Sequence, residues 1–459
     1  MDMDDFLKEL NASVASSSLP TTTLSAPTVA ATATATASAS SSSVIAVKPV
    51  KMVIVSTHIN QINGYSKVVH QLLQHLAVHS SWLQVTVFGT QKIVNGDIGR
   101  KAPGAFPVID ASALEKEKDK ATGFAFNELP QFILSEKPDV VLIYNDLSVI
   151  CTYIESIRKS IDNRLFKIWA YVDLVYPAAP PQMIDMLNRD VERVFTFTKS
   201  WKETLKAQGI TRPVDVMNHG VNTKMFRPIP KEMARPLLGL PKDITLITSV
   251  NKNIPRKRLD LLVMAFTRLI VSFPMKPIFL LLVGDNGSRG GFPLLDIFAR
   301  ELKICGGAVD LFGNRLMITS KDNAYKDEDI NMIYNAGDIG VSCAEGEGFG
   351  LCALEQMSVG VPQIVPEIHG YTEYCTADNS LLIKPKYRAY IPQAHHSVTG
   401  EAQIMDPADL AKALERYVFD EELRTRHGKA AKETAEAYTW ERAIAPLVKR
   451  LKALSEDDD

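Results

Sequence analysis

From Lys51 onward, short apolar runs of strand length alternate with longer stretches whose apolar residues recur at helical spacing. Lys51-Met52-Val53-Ile54-Val55-Ser56 is almost continuously apolar, as expected of a strand covered on both faces. Polar residues Thr57 to Asn63 follow. Val68, Val69, Leu72, Leu73 and Leu76 then form the apolar stripe of a helix predicted over 64–79. Further strands are predicted at 83–88, 140–144, 165–172, 194–198 and 214–217, with helices at 147–159, 183–190 and 201–208.

The alternation restarts after the proline-bearing connection Arg227-Pro228-Ile229-Pro230-Lys231. Strands are predicted at 244–250, 278–283, 339–344, 363–366 and 381–384, and helices at 257–272, 292–303, 329–336, 351–359, 407–418, 421–435 and 440–454. Strand and helix in alternation predict an α/β fold, in which two Rossmann-like domains with parallel sheets face one another across a cleft. The expected partition is a first domain over 48–226, a second over 227–436 and a closing helical segment over 437–459. Open parallel sheets bind ligands at the carboxyl ends of their strands, so the loops there are the places to look for chemistry.

Composition narrows the picture. At 459 residues the chain is long enough for two cores. Its 51 basic and 53 acidic residues nearly cancel, so nothing global draws it to nucleic acid. Of residues 11–43, 26 are Ala, Ser or Thr and none is charged; too little apolar area repays ordering, and 1–47 is expected to be a disordered tail. The start, Met1-Asp2-Met3-Asp4-Asp5, does not resemble a secretory signal, and no apolar stretch approaches membrane-spanning length. Five cysteines without a C-x-x-C pair fit a reducing, cytoplasmic setting, with Cys352 expected to be a packing residue.

Three strand-end loops carry candidate chemistry. In Ser56-Thr57-His58-Ile59-Asn60-Gln61-Ile62-Asn63-Gly64, glycine at the helix start allows close approach, and the first helical amides favour an anion. Asn251-Lys252-Asn253-Ile254-Pro255-Arg256-Lys257-Arg258 places four cations near a helix start, against the local dipole; a bound diphosphate would resolve that conflict. Glu345-Gly346-Glu347-Gly348-Phe349-Gly350-Leu351 combines a permissive backbone with Glu347, and Glu355 follows eight residues later on the next helix, expected to reach the same crevice. Carboxylates so placed can accept hydrogen bonds from sugar and ribose hydroxyls. His219 and His369, each beside a glycine at a strand end, are further candidates, as a donor or hinge contact and as a sugar contact or turn residue. No histidine or cysteine spacing matches a metal site.

These residues resemble the large family 4 of retaining glycosyltransferases. Glu347-Gly348-Phe349-Gly350-Leu351 with Leu354-Glu355 is similar to its two-glutamate signature; Val359-Gly360-Val361-Pro362, Glu373, Val283-Gly284-Asp285 and Trp440-Glu441 extend the likeness. The resemblance implies a glycosyltransferase B type fold whose last helix returns to the first domain. It also implies transfer of a hexose-type sugar, with retention, from a nucleotide diphosphate sugar to a carbohydrate or other hydroxyl-bearing acceptor. No cofactor or metal is expected, because the lysines can supply the countercharge and no D-x-D follows a strand in a matching context. By resemblance Glu347 touches the donor sugar, Glu355 the ribose, Lys252 and Lys257 the diphosphate, with Gly64 adding backbone amides; Gly348, Phe349, Gly350 and Leu351 shape the donor site. Lys252 stands where the family usually has arginine, and no histidine ends the strand Val141-Leu142-Ile143-Tyr144-Asn145-Asp146. Tyr144, Asn145, Asp146 and Asp173 are therefore the candidates for acceptor or sugar contact. A sugar-nucleotide epimerase or hydrolase, or a non-catalytic nucleotide-sugar-binding module, are the alternatives.

Overall fold

The computed structural model describes residues 49–92, 99–116, 122–284, 290–319, 325–391 and 400–456. The expected tail and Asp285 lie outside them. Seven strands, β1 (Val50–Thr57), β2 (Leu83–Thr90), β3 (Val108–Asp110), β4 (Val140–Asp146), β5 (Lys167–Asp173), β6 (Arg193–Thr196) and β7 (Val214–Val216), form one sheet in the order β3-β2-β1-β4-β5-β6-β7. Six more, β8 (Thr245–Val250), β9 (Ile278–Val283), β10 (Leu316–Ile318), β11 (Ile339–Val341), β12 (Gln363–Pro366) and β13 (Ser380–Ile383), form the second in the order β10-β9-β8-β11-β12-β13. Every pairing in both sheets is parallel. The expected α/β architecture of two Rossmann-like sheets is therefore present.

Topology fixes where a ligand can sit. In each sheet the winding direction reverses beside the first strand, between β1 and β4 and between β8 and β11. The helices connecting to either side leave opposite faces there, which opens a crevice at the strand ends. The loops after β1, β4, β8 and β11 consequently converge, and they include all three candidate loops.

The strands are apolar throughout because helices cover both faces: Val53, Ile54 and Val55 of β1 are buried, as are Leu280, Leu281 and Leu282 of β9. One apolar cluster runs between the halves, uniting Val68 and Leu72 of the first helix (Gly64–Leu76) with Phe349, Leu354 and Met357. Leu447 and Leu451 of the last helix (Trp440–Glu456) belong to the same cluster, and Arg450 Nε lies 2.9 Å from Asp215 Oδ2 on β7. The last helix thus packs against the first half. At the crossing, a β-carbon on Gly220 would fall 2.4 Å from the Trp440 amide nitrogen, so a side chain there would push the helix away.

Several elements depart from the sequence expectation. β3 and β10 are three residues long, too short to show a period. The helices Leu129–Glu136 and Lys231–Leu237 were also not expected, the latter holding Pro236. An antiparallel hairpin, β14 (Tyr387–Ile391) with β15 (Gly400–Ile404), was not anticipated because β14 is almost wholly exposed and lacks alternation. The helix expected from residue 257 begins at Leu259, since Arg258 adopts a left-handed φ of 47° after the turn Pro255–Lys257. β11 stops at Val341, short of 344; beyond it the chain leaves the sheet, and the Glu345 amide donates to the Arg256 carbonyl at 3.0 Å. That bond ties two candidate loops together. Residues Tyr371–Glu373 make a single 3₁₀ turn. No described helix is long and apolar enough to cross a membrane.

Candidate functional site

The loop after β11 is held by its glycines. Gly350 has φ 89° and starts the helix Leu351–Ser358; a β-carbon on it would meet the Tyr371 ring at 2.5 Å. Gly348 lies under the first half: a β-carbon there would be 2.1 Å from Asp173 Oδ1, while its carbonyl accepts from Trp201 Nε1 at 2.9 Å. Between them the chain presents Glu347 to the cleft. Lys257 Nζ donates to Glu347 Oε2, and Arg256 Nη1 does so at 3.2 Å while also bonding the Gly346 carbonyl at 2.6 Å. Burial pushes the Glu347 carboxyl up, but the charges and hydrogen bonds of Lys257 and Arg256 outweigh it and leave the carboxyl below the usual glutamate value. Glu347 is therefore a partly buried, ionised and oriented carboxylate.

It borders a cavity of about 410 Å³ shared by both halves. The second half contributes Lys252, Arg256, Lys257, Glu347, Phe349, Gly350 and Leu351; the first contributes Gly64, Tyr65, Tyr144, Asp173 and His219. Gly64 opens its helix behind Asn63, whose side chain caps the Ser66 amide at 2.9 Å, so the positive helix end faces the cavity. Lys252 is exposed and has no ion-pair partner among the described residues.

The first-half wall holds polar groups without protein partners. His219 is 3% exposed and surrounded by the rings of Tyr144, Tyr171, Phe197, Phe349 and Trp440. Neither of its ring nitrogens has a hydrogen-bond partner among the described residues, and burial lowers its pKa to about 3, so the ring is neutral. Asp173 Oδ2 accepts from Tyr65 Oη at 2.8 Å, whereas Oδ1 is buried and unpartnered among the described residues. Burial first, then the charge of Asp146, raises the Asp173 carboxyl to about 7. Asp146 is its neighbour across the β4–β5 register and is raised by burial as well. Leaving such groups dry and unpaired is costly, which points to a polar ligand.

Other candidates are placed elsewhere. Glu355, expected in the same crevice as Glu347, does not line this cavity. It turns to an adjoining hollow, where Lys67 Nζ pairs with it at 2.7 Å and Tyr334 Oη donates at 3.1 Å. Burial holds its carboxyl above the usual value although the Lys67 charge works against that shift. Asn145 is buried, and its Oδ1 accepts from the Asp146 amide, so it stabilises the strand end without facing the cavity. His369 also misses the cavity: its ring packs on Trp201 at 4.4 Å, and its carbonyl accepts from Ser200 Oγ. Glu373 joins the halves, taking the Lys199 amide at 2.9 Å and Asn218 Nδ2 at 3.1 Å. The Cys352 thiol is raised by burial and then by Glu355, as suits a packing residue. Tyr65, Lys67 and the particular role of Arg256 were not legible in the sequence, because each depends on a partner more than 80 residues away. No group of three or more His, Cys, Asp or Glu among the described residues could hold a metal ion.

Two Rossmann-like sheets facing a shared cavity define the glycosyltransferase B type fold. Sucrose-phosphate synthase from Thermosynechococcus elongatus shares it at a TM-score of 0.66, with 18% identity over 88% of this chain and 99% of that one. An Anabaena protein, HepE, crystallised with UDP and glucose, does so at 0.64, with 13% identity over 88% of this chain and 100% of its own. Residues 241–418 match the family described as Glycosyl transferases group 1. D-inositol 3-phosphate glycosyltransferase of Streptosporangium roseum is 26% identical over 51% of this chain and 48% of its own length. The same enzyme of Thermobispora bispora is 29% identical over 41% and 42%. The chain spans about half the length of the curated relatives it matches.

Proposed function

We propose that the protein transfers a hexose-type sugar from a nucleotide diphosphate sugar to an acceptor hydroxyl with retention at the anomeric carbon. The observation that carries this is Glu347, held ionised by Lys257 and Arg256 on one wall of a cavity whose opposite wall offers the His219 ring nitrogens and Asp173 Oδ1 without partners among the described residues. A carboxylate of this kind accepts hydrogen bonds from sugar hydroxyls, and Lys252 beside it supplies positive charge that no other described residue neutralises. Support for a uridine-containing donor comes from structures of the same fold bound to UDP and glucose.

In this reading Lys252, Lys257 and the amides at Gly64 stabilise the charge that develops on the departing diphosphate by fixed electrostatics. The sugar becomes oxocarbenium-like, and the leaving phosphate takes up the acceptor proton on the same face, so no protein nucleophile is required. Glu355 is the expected ribose contact, which requires Lys67 to release it when donor binds.

A screen of nucleotide sugars, read by nucleoside diphosphate release with and without acceptor mixtures, tests the assignment. Transfer to an acceptor supports it; turnover to an epimer or to free sugar without acceptor would replace it with an isomerase or hydrolase. Glu347→Gln keeps the local shape and removes the charge. We expect transfer to fall by about 100-fold, on the scale of losing one preorganised electrostatic contact. Unchanged transfer would end the central role given to Glu347.

A further inference from the structure

The first half brings together at its strand ends two carboxyl groups for which donor binding offers no task, and one of them, Asp173, lines the cavity. Asp146 and Asp173 end adjacent strands in register, with Tyr65 donating to Asp173 Oδ2 at 2.8 Å. Two acids side by side are not in themselves a site. Here, however, Asp173 lines the shared cavity, its Oδ1 lacks a partner among the described residues, and the neutral His219 on the same wall lacks one at both nitrogens. Across the cavity stands Glu347, where the donor sugar is placed, and Gly348 leaves room for Asp173 at the loop that carries it.

We propose that Asp173, braced by Tyr65 and paired with Asp146, is the residue that hydrogen-bonds and aims the incoming acceptor hydroxyl. This rests on the transferase reading above. In the transfer step the bond from the anomeric carbon to the phosphate oxygen breaks with its electron pair left on phosphate. The acceptor oxygen forms the new bond, and its proton ends on that phosphate. Asp173 orients the hydroxyl in its ionised form, as an acceptor of a charge-assisted hydrogen bond.

Asp173 faces Asp146 on β4, Tyr65 on the first helix, Tyr144 and Tyr171 on the sheet, and Arg256 and Glu347 across the cleft. Burial, Asp146 and Glu347 raise it; Tyr65 and Arg256 lower it, with the balance near 7. The ionised fraction therefore rises with pH through neutrality.

The test uses the full chain with UDP-glucose and a mixture of glucose, glucose 6-phosphate and inositol 3-phosphate as acceptors. Glycoside formation is followed across pH 5 to 9 and UDP-glucose binding by calorimetry. Wild-type transfer should rise with pH along a limb near pH 7. Asp173→Asn should lower transfer by about 10- to 100-fold and remove that limb, while donor binding stays within about threefold. Asp146→Asn should move the limb to lower pH in whatever transfer it retains, because a like charge has gone. Transfer by Asp173→Asn within threefold of wild type, or a limb unmoved in Asp146→Asn, overturns the proposal. A wild type that forms no glycoside counts against the transferase reading itself and against this proposal with it.

Discussion

Gly348→Ala puts the contact between the halves to a quantitative test. The new β-carbon would stand 2.1 Å from Asp173 Oδ1, 3.0 Å from Phe197 Cε2 and 3.1 Å from Asp173 Cγ. Ordinary van der Waals contact begins at 3.4 Å, so Asp173 or the loop must yield by about 1.3 Å. Asp173 cannot swing freely, because Tyr65 holds Oδ2, and the loop is tied through the Gly348 carbonyl to Trp201. Overpacking of this kind costs about 1–3 kcal/mol. For halves of this size each kcal/mol lowers Tm by roughly 2–4 °C, giving a fall of roughly 2–12 °C. Because a displacement on the order of 1 Å can cost about 100-fold in rate, transfer should suffer more than folding. Thermal melting of Gly348→Ala in the wild-type and Asp173→Ala backgrounds measures the clash directly. With the carboxyl removed, the cost of the alanine should drop by at least half, although activity stays low. An equal cost in both backgrounds, or none in either, would refute the idea that Asp173 and Gly348 are in contact across the cleft.

Lys67→Met should destabilise the protein by up to roughly 3–5 kcal/mol, since it strands the buried Glu355 with only Tyr334 as donor. Folding already raises the Glu355 pKa, and loss of Lys67 raises it further. The folded state then holds a proton that the unfolded chain releases, so the variant's deficit should be smallest in acid and grow as pH rises; melting curves from pH 4 to 8 check the sign. Excess chelator should leave transfer unchanged if Lys252 and Lys257 supply the countercharge. A complete loss restored only by a divalent ion would show that the phosphate assignment is incomplete.

Local pattern was enough to determine much of this protein. Strands buried on both faces, such as β1, β8 and β9, announce themselves as unbroken apolar runs, and the doubled alternation of strand and helix defined the two-sheet fold. Glycines beside Glu347 marked the loop that reaches the cleft, because only a backbone free of β-carbons can pass between Asp173 and Tyr371. The tertiary structure alone decided which side chains share a space. Glu347 and Glu355 read as a matched pair eight residues apart, yet the helix starting at Leu351 carries the second glutamate away to Lys67, a residue 288 positions distant. Asn145 and His369 stood at promising strand ends but turned to local partners. Tyr65 gave no signal at all until the first helix brought it to Asp173, 108 residues on. Spacing along a chain specifies direction within one element. Where two elements meet depends on packing between them, and it was that packing which left the His219 ring nitrogens and Asp173 Oδ1 without partners among the described residues.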